Sequence, residues 1–96
     1  MNILEQKFKE FDEANPDVWL LLIKFADEVA KTGRTKYSVK AIFERIRWHT
    51  EIETKSDTPF KLSNNHTAYY ARKYMNTFPY RKGFFRLKKL RGDNNE

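Results

Sequence analysis

The sequence contains no cysteine. That excludes disulfides, thiolate-bound zinc, iron–sulfur clusters and thiol catalysis, and nothing calls for an oxidising compartment. Its three glycines, Gly33, Gly83 and Gly92, stand far apart, so no glycine-rich loop is available to cradle a phosphate. The longest apolar run is the six residues 18–23, against about 20 needed to span a bilayer. The opening Met1-Asn2-Ile3-Leu4-Glu5-Gln6-Lys7 lacks the basic start and apolar stretch of a signal peptide. A chain of 96 residues has room for one domain, 1–96, because either half alone would be too small to hold a core. The expectation is one cytoplasmic domain with no membrane association, ending in a frayed tail over 92–96.

Aromatic residues make up 16% of the chain and hydrophobic residues 40%, which predicts a folded core despite 33% charged residues. The net charge of +6 is unevenly spread. Residues 1–30 hold three Lys and seven Asp or Glu, a balance of −4, while residues 31–96 hold sixteen Lys or Arg and six acids, a balance of +10. Such polarity predicts an acidic element facing away and a basic working surface. Basic surfaces gather polyanions, above all nucleic acid.

Ile3, Leu4, Phe8 and Phe11 recur at helical spacing, predicting a first helix over 2–13. Asn15-Pro16-Asp17 then breaks the chain and starts a second, with Asn15 as its cap, Pro16 at the first helical position and Asp17 at the positive end. This second helix has the widest apolar stripe and reads as the central one; Gly33 is placed to end it in a left-handed cap. Ser38 caps a third helix carrying Val39, Ile42, Phe43 and Ile46 and running to about Thr50. Residues 51–58 read as a polar loop and 59–62 as a short strand. A fourth helix over 65–77 stops at Phe78-Pro79. Residues 84–90 read as a strand with Phe85 and Leu87 on one face and Arg86 and Lys88 on the other. The predicted core is Phe8, Phe11, Trp19, Leu22, Phe25, Val39, Ile42, Phe43, Ile46, Ala71, Met75, Phe78 and Phe85, with Trp48 core or half-buried.

The expected fold is therefore mainly α, four helices with a small two-stranded β element. This order resembles a winged-helix domain over residues 36–91, although the stretch between the third and fourth helices is long for a helix-turn-helix. The resemblance implies that the fourth helix enters the major groove of duplex DNA while the wing touches backbone. On the residues themselves, Tyr69, Arg72, Lys73 and Asn76 share a helical face, and Asn65 and His66 stand at its start. Arg and Asn can read guanine and adenine edges, and Lys neutralises phosphate. Arg81, Lys82, Arg86, Lys88, Lys89 and Arg91 add six cations in eleven residues. Arg81, Lys82, Arg86 and Lys88 are the expected phosphate contacts; lysines guarding a strand edge would not need so many. Binding by four or five phosphates predicts a salt slope of roughly −4. The neighbouring rings Tyr69, Tyr70, Tyr74, Tyr80, Phe84 and Phe85 read mostly as core, with stacking on unpaired bases the lesser expectation.

Catalytic chemistry finds little support. His49 with Glu51 and Glu53 could form an acid–base or metal cluster, and Glu53-Thr54-Lys55 has the carboxylate-x-Lys form of many metal-dependent nucleases. The tripeptide is common by chance and lacks a further acid on a strand. No nucleophile elbow is present, and no cofactor or metal is expected. The run Tyr37-Ser38, Ile46-Arg47-Trp48, Asn64-Asn65, Tyr69-Tyr70-Ala71-Arg72 and Phe84-Phe85-Arg86 is similar to a group of short phage and prophage proteins, over most of residues 7–91. That resemblance implies an accessory protein of a mobile element and assigns no functional residue. The leading expectation is a non-enzymatic nucleic-acid-binding protein, duplex DNA favoured. The alternatives are a factor docking an acidic protein partner and a small metal-dependent nuclease. The Ile3/Phe8/Phe11 face is the candidate contact for a homodimer, with capping of the monomer core as its alternative use.

Overall fold

The computed structural model describes residues 2–54 and 64–86. Four helices follow in order: α1 (Ile3–Ala14), α2 (Pro16–Lys31), α3 (Val39–Trp48) and α4 (Asn64–Thr77). A π-helical turn, His49–Glu53, extends α3, and a 3₁₀ turn, Pro79–Arg81, follows α4.

Local chemistry explains most of the boundaries. The Asn2 side chain accepts a hydrogen bond from the Glu5 amide at 2.8 Å, and Ser38 accepts from Ala41 at 3.3 Å; each satisfies an amide left open by its helix start. Asn15 works backwards from the sequence expectation. Its side chain makes no capping bond to α2; it donates instead to the Phe11 carbonyl at 2.9 Å and closes α1. Pro16 then opens α2 at the position where its missing amide costs nothing. Gly33, at φ +95°, turns the chain out of α2 as expected. Beyond Trp48 the helix widens rather than ending in a loop. The Thr54 amide donates to the His49 carbonyl at 2.9 Å, and Glu53 reaches back to Arg45 and His49.

The core is a cluster of aromatic rings. Tyr70 and Tyr74 of α4 are fully buried, as are Leu22, Ile42 and Ile46. Tyr70 meets Phe8 edge-on at 4.8 Å and lies near Phe11, Trp19 and Phe43, so one ring touches all three other helices. Tyr74 gathers Phe78, Phe84 and Phe85 at 5.2–6.2 Å. The central role expected for α2 is thus shared with α4. Val18, Ala26, Tyr70, Tyr74 and Phe84 join the predicted core, while Phe11, Trp19, Val39, Met75 and Phe78 lie partly buried against it. Trp48 departs from expectation: it is 55% exposed.

The two-stranded β element is not seen. Among the described residues the sole β pairing is one parallel bridge between Tyr37 and Phe85. Phe84 and Phe85 are both buried. Consecutive strand residues point to opposite faces, so two neighbours sunk in one core do not fit a strand with an exposed face. Gly83, at φ +82°, turns the chain so that both rings close the bottom of the bundle, and the Tyr37 amide donates to the Phe84 carbonyl at 2.9 Å. The expected strand over 59–62 and the later part of that over 84–90 lie outside the described residues. Among the described residues the architecture is a helical bundle closed by an aromatic corner, with no wing strand.

Candidate nucleic-acid interface

The α4 face expected to enter a groove is largely taken up by α1. The Tyr69 ring stacks on Phe8 at 5.4 Å, and its hydroxyl makes a long hydrogen bond of 3.4 Å to Asn2. The Lys73 ammonium pairs with the Asp12 carboxylate and lies 4.3 Å from the centre of the Trp19 ring. His66 turns inward, 5.0 Å from Phe11 and 6.3 Å from Phe8. Burial, with the charge of Lys7 adding, holds its pKa below the usual imidazole range. Asn65 is half-buried beside it. The acidic first helix therefore does not face away; it covers one side of α4. The same packing buries Phe8 and half-buries Phe11, leaving Ile3 exposed on the face considered for a homodimer.

Arg72 and Asn76 form a ridge between two grooves. On one side a cleft of about 550 Å³ lies between α1 and α4, where Glu5 and Asp12 mix with Lys9 and Lys73. On the other a groove of about 590 Å³ is lined by Arg72, Met75, Asn76, Pro79, Lys82, Gly83 and Phe85, without a carboxylate. The chain explains this segregation: no Asp or Glu occurs between Asp57 and Asp93. Lys82 and Arg86 are exposed and enter no ion pair among the described residues. The Arg72 guanidinium lies 5.9 Å from the centre of the Tyr69 ring.

Arg81 plays a different part from its neighbours. Its Nε donates to the Tyr74 hydroxyl at 3.2 Å, and its guanidinium lies 3.7 Å from Asp27. The Tyr74 hydroxyl in turn donates to Asp27 at 2.7 Å. Burial and the Asp27 hydrogen bond push the Tyr74 phenol up to about 12, against the opposing pull of Arg81. The Arg81 guanidinium also lies 5.0 Å from the centre of the Tyr80 ring, which is 72% exposed. Tyr80 belongs to this corner although the sequence placed it only among a group of mostly core rings. The signal was there in part: a ring just after a helix-stopping proline and just before two cations. Lys88 lies outside the described residues.

The suspected metal or acid–base cluster is occupied by its own neighbours. Arg45 grips the Glu53 carboxylate with two bonds of 3.0 and 3.4 Å, and His49 Nδ1 lies 2.9 Å from it. The His49 and Arg45 hydrogen bonds hold the Glu53 carboxyl below its ordinary value. Glu51 pairs with Arg47 at 3.8 Å. Among the described residues no group of three or more His, Asp or Glu is arranged to hold a metal ion. None of their helices is long and apolar enough to cross a membrane. No family model, curated protein or solved structure matches the chain.

Proposed function

We propose that this chain is a non-catalytic nucleic-acid-binding protein that grips the phosphate backbone at the corner where α4 meets the 3₁₀ turn. The observation that carries the reading is the carboxylate-free groove lined by Arg72 and Lys82, with the exposed Arg86 next in the chain after its lining residue Phe85. A groove that holds cations and no carboxylate in its lining attracts a polyanion, which releases its counterions on contact. Asn76 offers a neutral donor and acceptor on the same ridge. Arg81 contributes mainly by fixing the turn, since Asp27 and Tyr74 already hold it. Lys73 belongs to the α1–α4 packing.

Affinity for a labelled oligonucleotide, followed by anisotropy across a salt series, tests this reading. Binding is expected to weaken steeply with salt. The Lys82→Ala and Arg86→Ala variants each reduce the steepness by about 0.7–0.9 of a log unit per log unit of salt. Lys73→Ala is expected to lower stability by about 1 kcal/mol while leaving the salt slope unchanged. A flat salt response would sink the proposal.

One observation favours a second reading, docking of a protein partner. Trp48 and Ile52, four residues apart at the end of α3, are 55% and 53% exposed. Large apolar side chains grouped on a surface are a common contact for another protein. A partner whose capture survives Lys82→Ala/Arg86→Ala but is lost in Trp48→Ala would support this alternative.

A further inference from the structure

We infer that the basic corner takes single-stranded rather than duplex nucleic acid, with Tyr80 as a platform on which an unpaired base stacks; this rests on the backbone-binding reading above. An exposed tyrosine alone would mean little. Tyr80 is distinguished by how it is held. It is 72% exposed, yet Phe78 packs edge-on to it at 6.0 Å and the Arg81 guanidinium lies 5.0 Å from its centre. Arg81 is itself fixed by Tyr74 and Asp27. The ring is thus presented to solvent on a braced turn, so less side-chain freedom is lost when a ligand lands on it.

Its neighbours supply the rest of a single-strand site. Pro79 and Lys82, on either side of Tyr80-Arg81 in the chain, both line the carboxylate-free groove. Tyr80 is not itself part of that lining, but a phosphate held at Lys82 lies only two residues along the chain from the ring. Alternating cations and aromatic faces are how proteins hold unpaired strands, because every base offers a π-face whatever its sequence. In a duplex those faces are stacked on one another and unavailable to Tyr80. Half of the α4 face that could have read a major groove is taken up by α1, since Tyr69 stacks on Phe8 and Lys73 pairs with Asp12, which leaves Arg72 and Asn76.

The test compares four labelled probes of equal phosphate number at low and physiological salt: single-stranded DNA, single-stranded RNA, duplex DNA, and an abasic deoxyribose-phosphate oligomer. Wild-type protein is expected to bind the single strands about tenfold more tightly than the duplex or the abasic chain. Tyr80→Ala weakens single-strand binding by about tenfold and leaves the abasic probe unchanged, whereas Tyr80→Trp keeps the single-strand preference. Far-ultraviolet circular dichroism of each variant confirms that the bundle is intact. Salt-sensitive binding that favours the duplex, or a Tyr80→Ala loss equal on abasic and base-bearing chains, would overturn this inference and leave backbone binding standing. No salt-sensitive binding to any probe would overturn both.

Discussion

Tyr70 and Tyr74 are both buried in α4, yet their hydroxyls have opposite fates. The Tyr74 hydroxyl bridges Asp27 and Arg81. The Tyr70 hydroxyl is buried without a hydrogen-bond partner, and burial, with the Asp12 carboxylate adding, pushes its phenol far above the usual range. Removing a satisfied hydroxyl costs stability, whereas removing an unsatisfied buried one can be neutral or favourable. Tyr74→Phe is therefore expected to lose about 1–2 kcal/mol in urea unfolding, and Tyr70→Phe to stay within about 0.5 kcal/mol or gain. His66 gives a pH signature. Its folded pKa is lowered from 6.5, so the unfolded chain binds more protons just below that pH. Its contribution to stability is complete above about 6.5 and declines as pH falls towards the folded value. The melting temperature should drop through that window in wild type, and His66→Gln should remove that part of the decline. The residue scale was the hardest to read from sequence. Helical spacing put Lys73 beside Arg72 on one face, but Asp12 lies 61 positions away, and nothing local shows which neighbour covers which side chain.

Among the elements, the helices are legible from their apolar spacing and, for the start of α3 and both ends of α2, from local capping chemistry. Asn2, Pro16, Ser38 and Gly33 act within a few residues of where they stand. The alternation over 84–90 suggests a strand, whereas the described part of that stretch, 84–86, takes its arrangement from distant rings. Phe84 and Phe85 both turn in because Tyr74, ten and eleven residues earlier, offers a wall for the pair. The π-helical turn was hidden for a related reason: its polar residues suggest a loop until Glu53 is seen to clamp Arg45 and His49. Gly83 is the hinge of the aromatic corner. Nothing lies within 4 Å of where its side chain would be, so only its positive φ resists substitution. Gly83→Ala is expected to cost about 1 kcal/mol, and Gly83→Asn less, because asparagine tolerates the left-handed region. Thermal melts of the two variants would check the order.

Across the whole molecule, charge and packing are arranged together. The acidic α1 lies along one side of α4 and neutralises Lys73 there. The opposite groove, beyond the Arg72–Asn76 ridge, has cations but no acid in its lining. The sequence showed this polarity as a contrast between its first 30 residues and the remainder. It did not show that the acidic helix would cover half of the face assigned to nucleic acid. Of the expected contacts, Arg72, Asn76, Lys82 and Arg86 are at the corner, Arg81 braces it, and Asn65, His66, Tyr69 and Lys73 lie towards α1. The measurement that tests the central claim most directly is a ¹⁵N NMR titration with a short single-stranded oligonucleotide. Backbone-amide shifts are predicted to cluster at Asn76, Lys82, Gly83 and Arg86, with the Tyr80 ring protons moving as well. Glu5, Lys9 and the π-helical turn should remain still. Shifts centred on Trp48 and Ile52, or none at the corner, would contradict it.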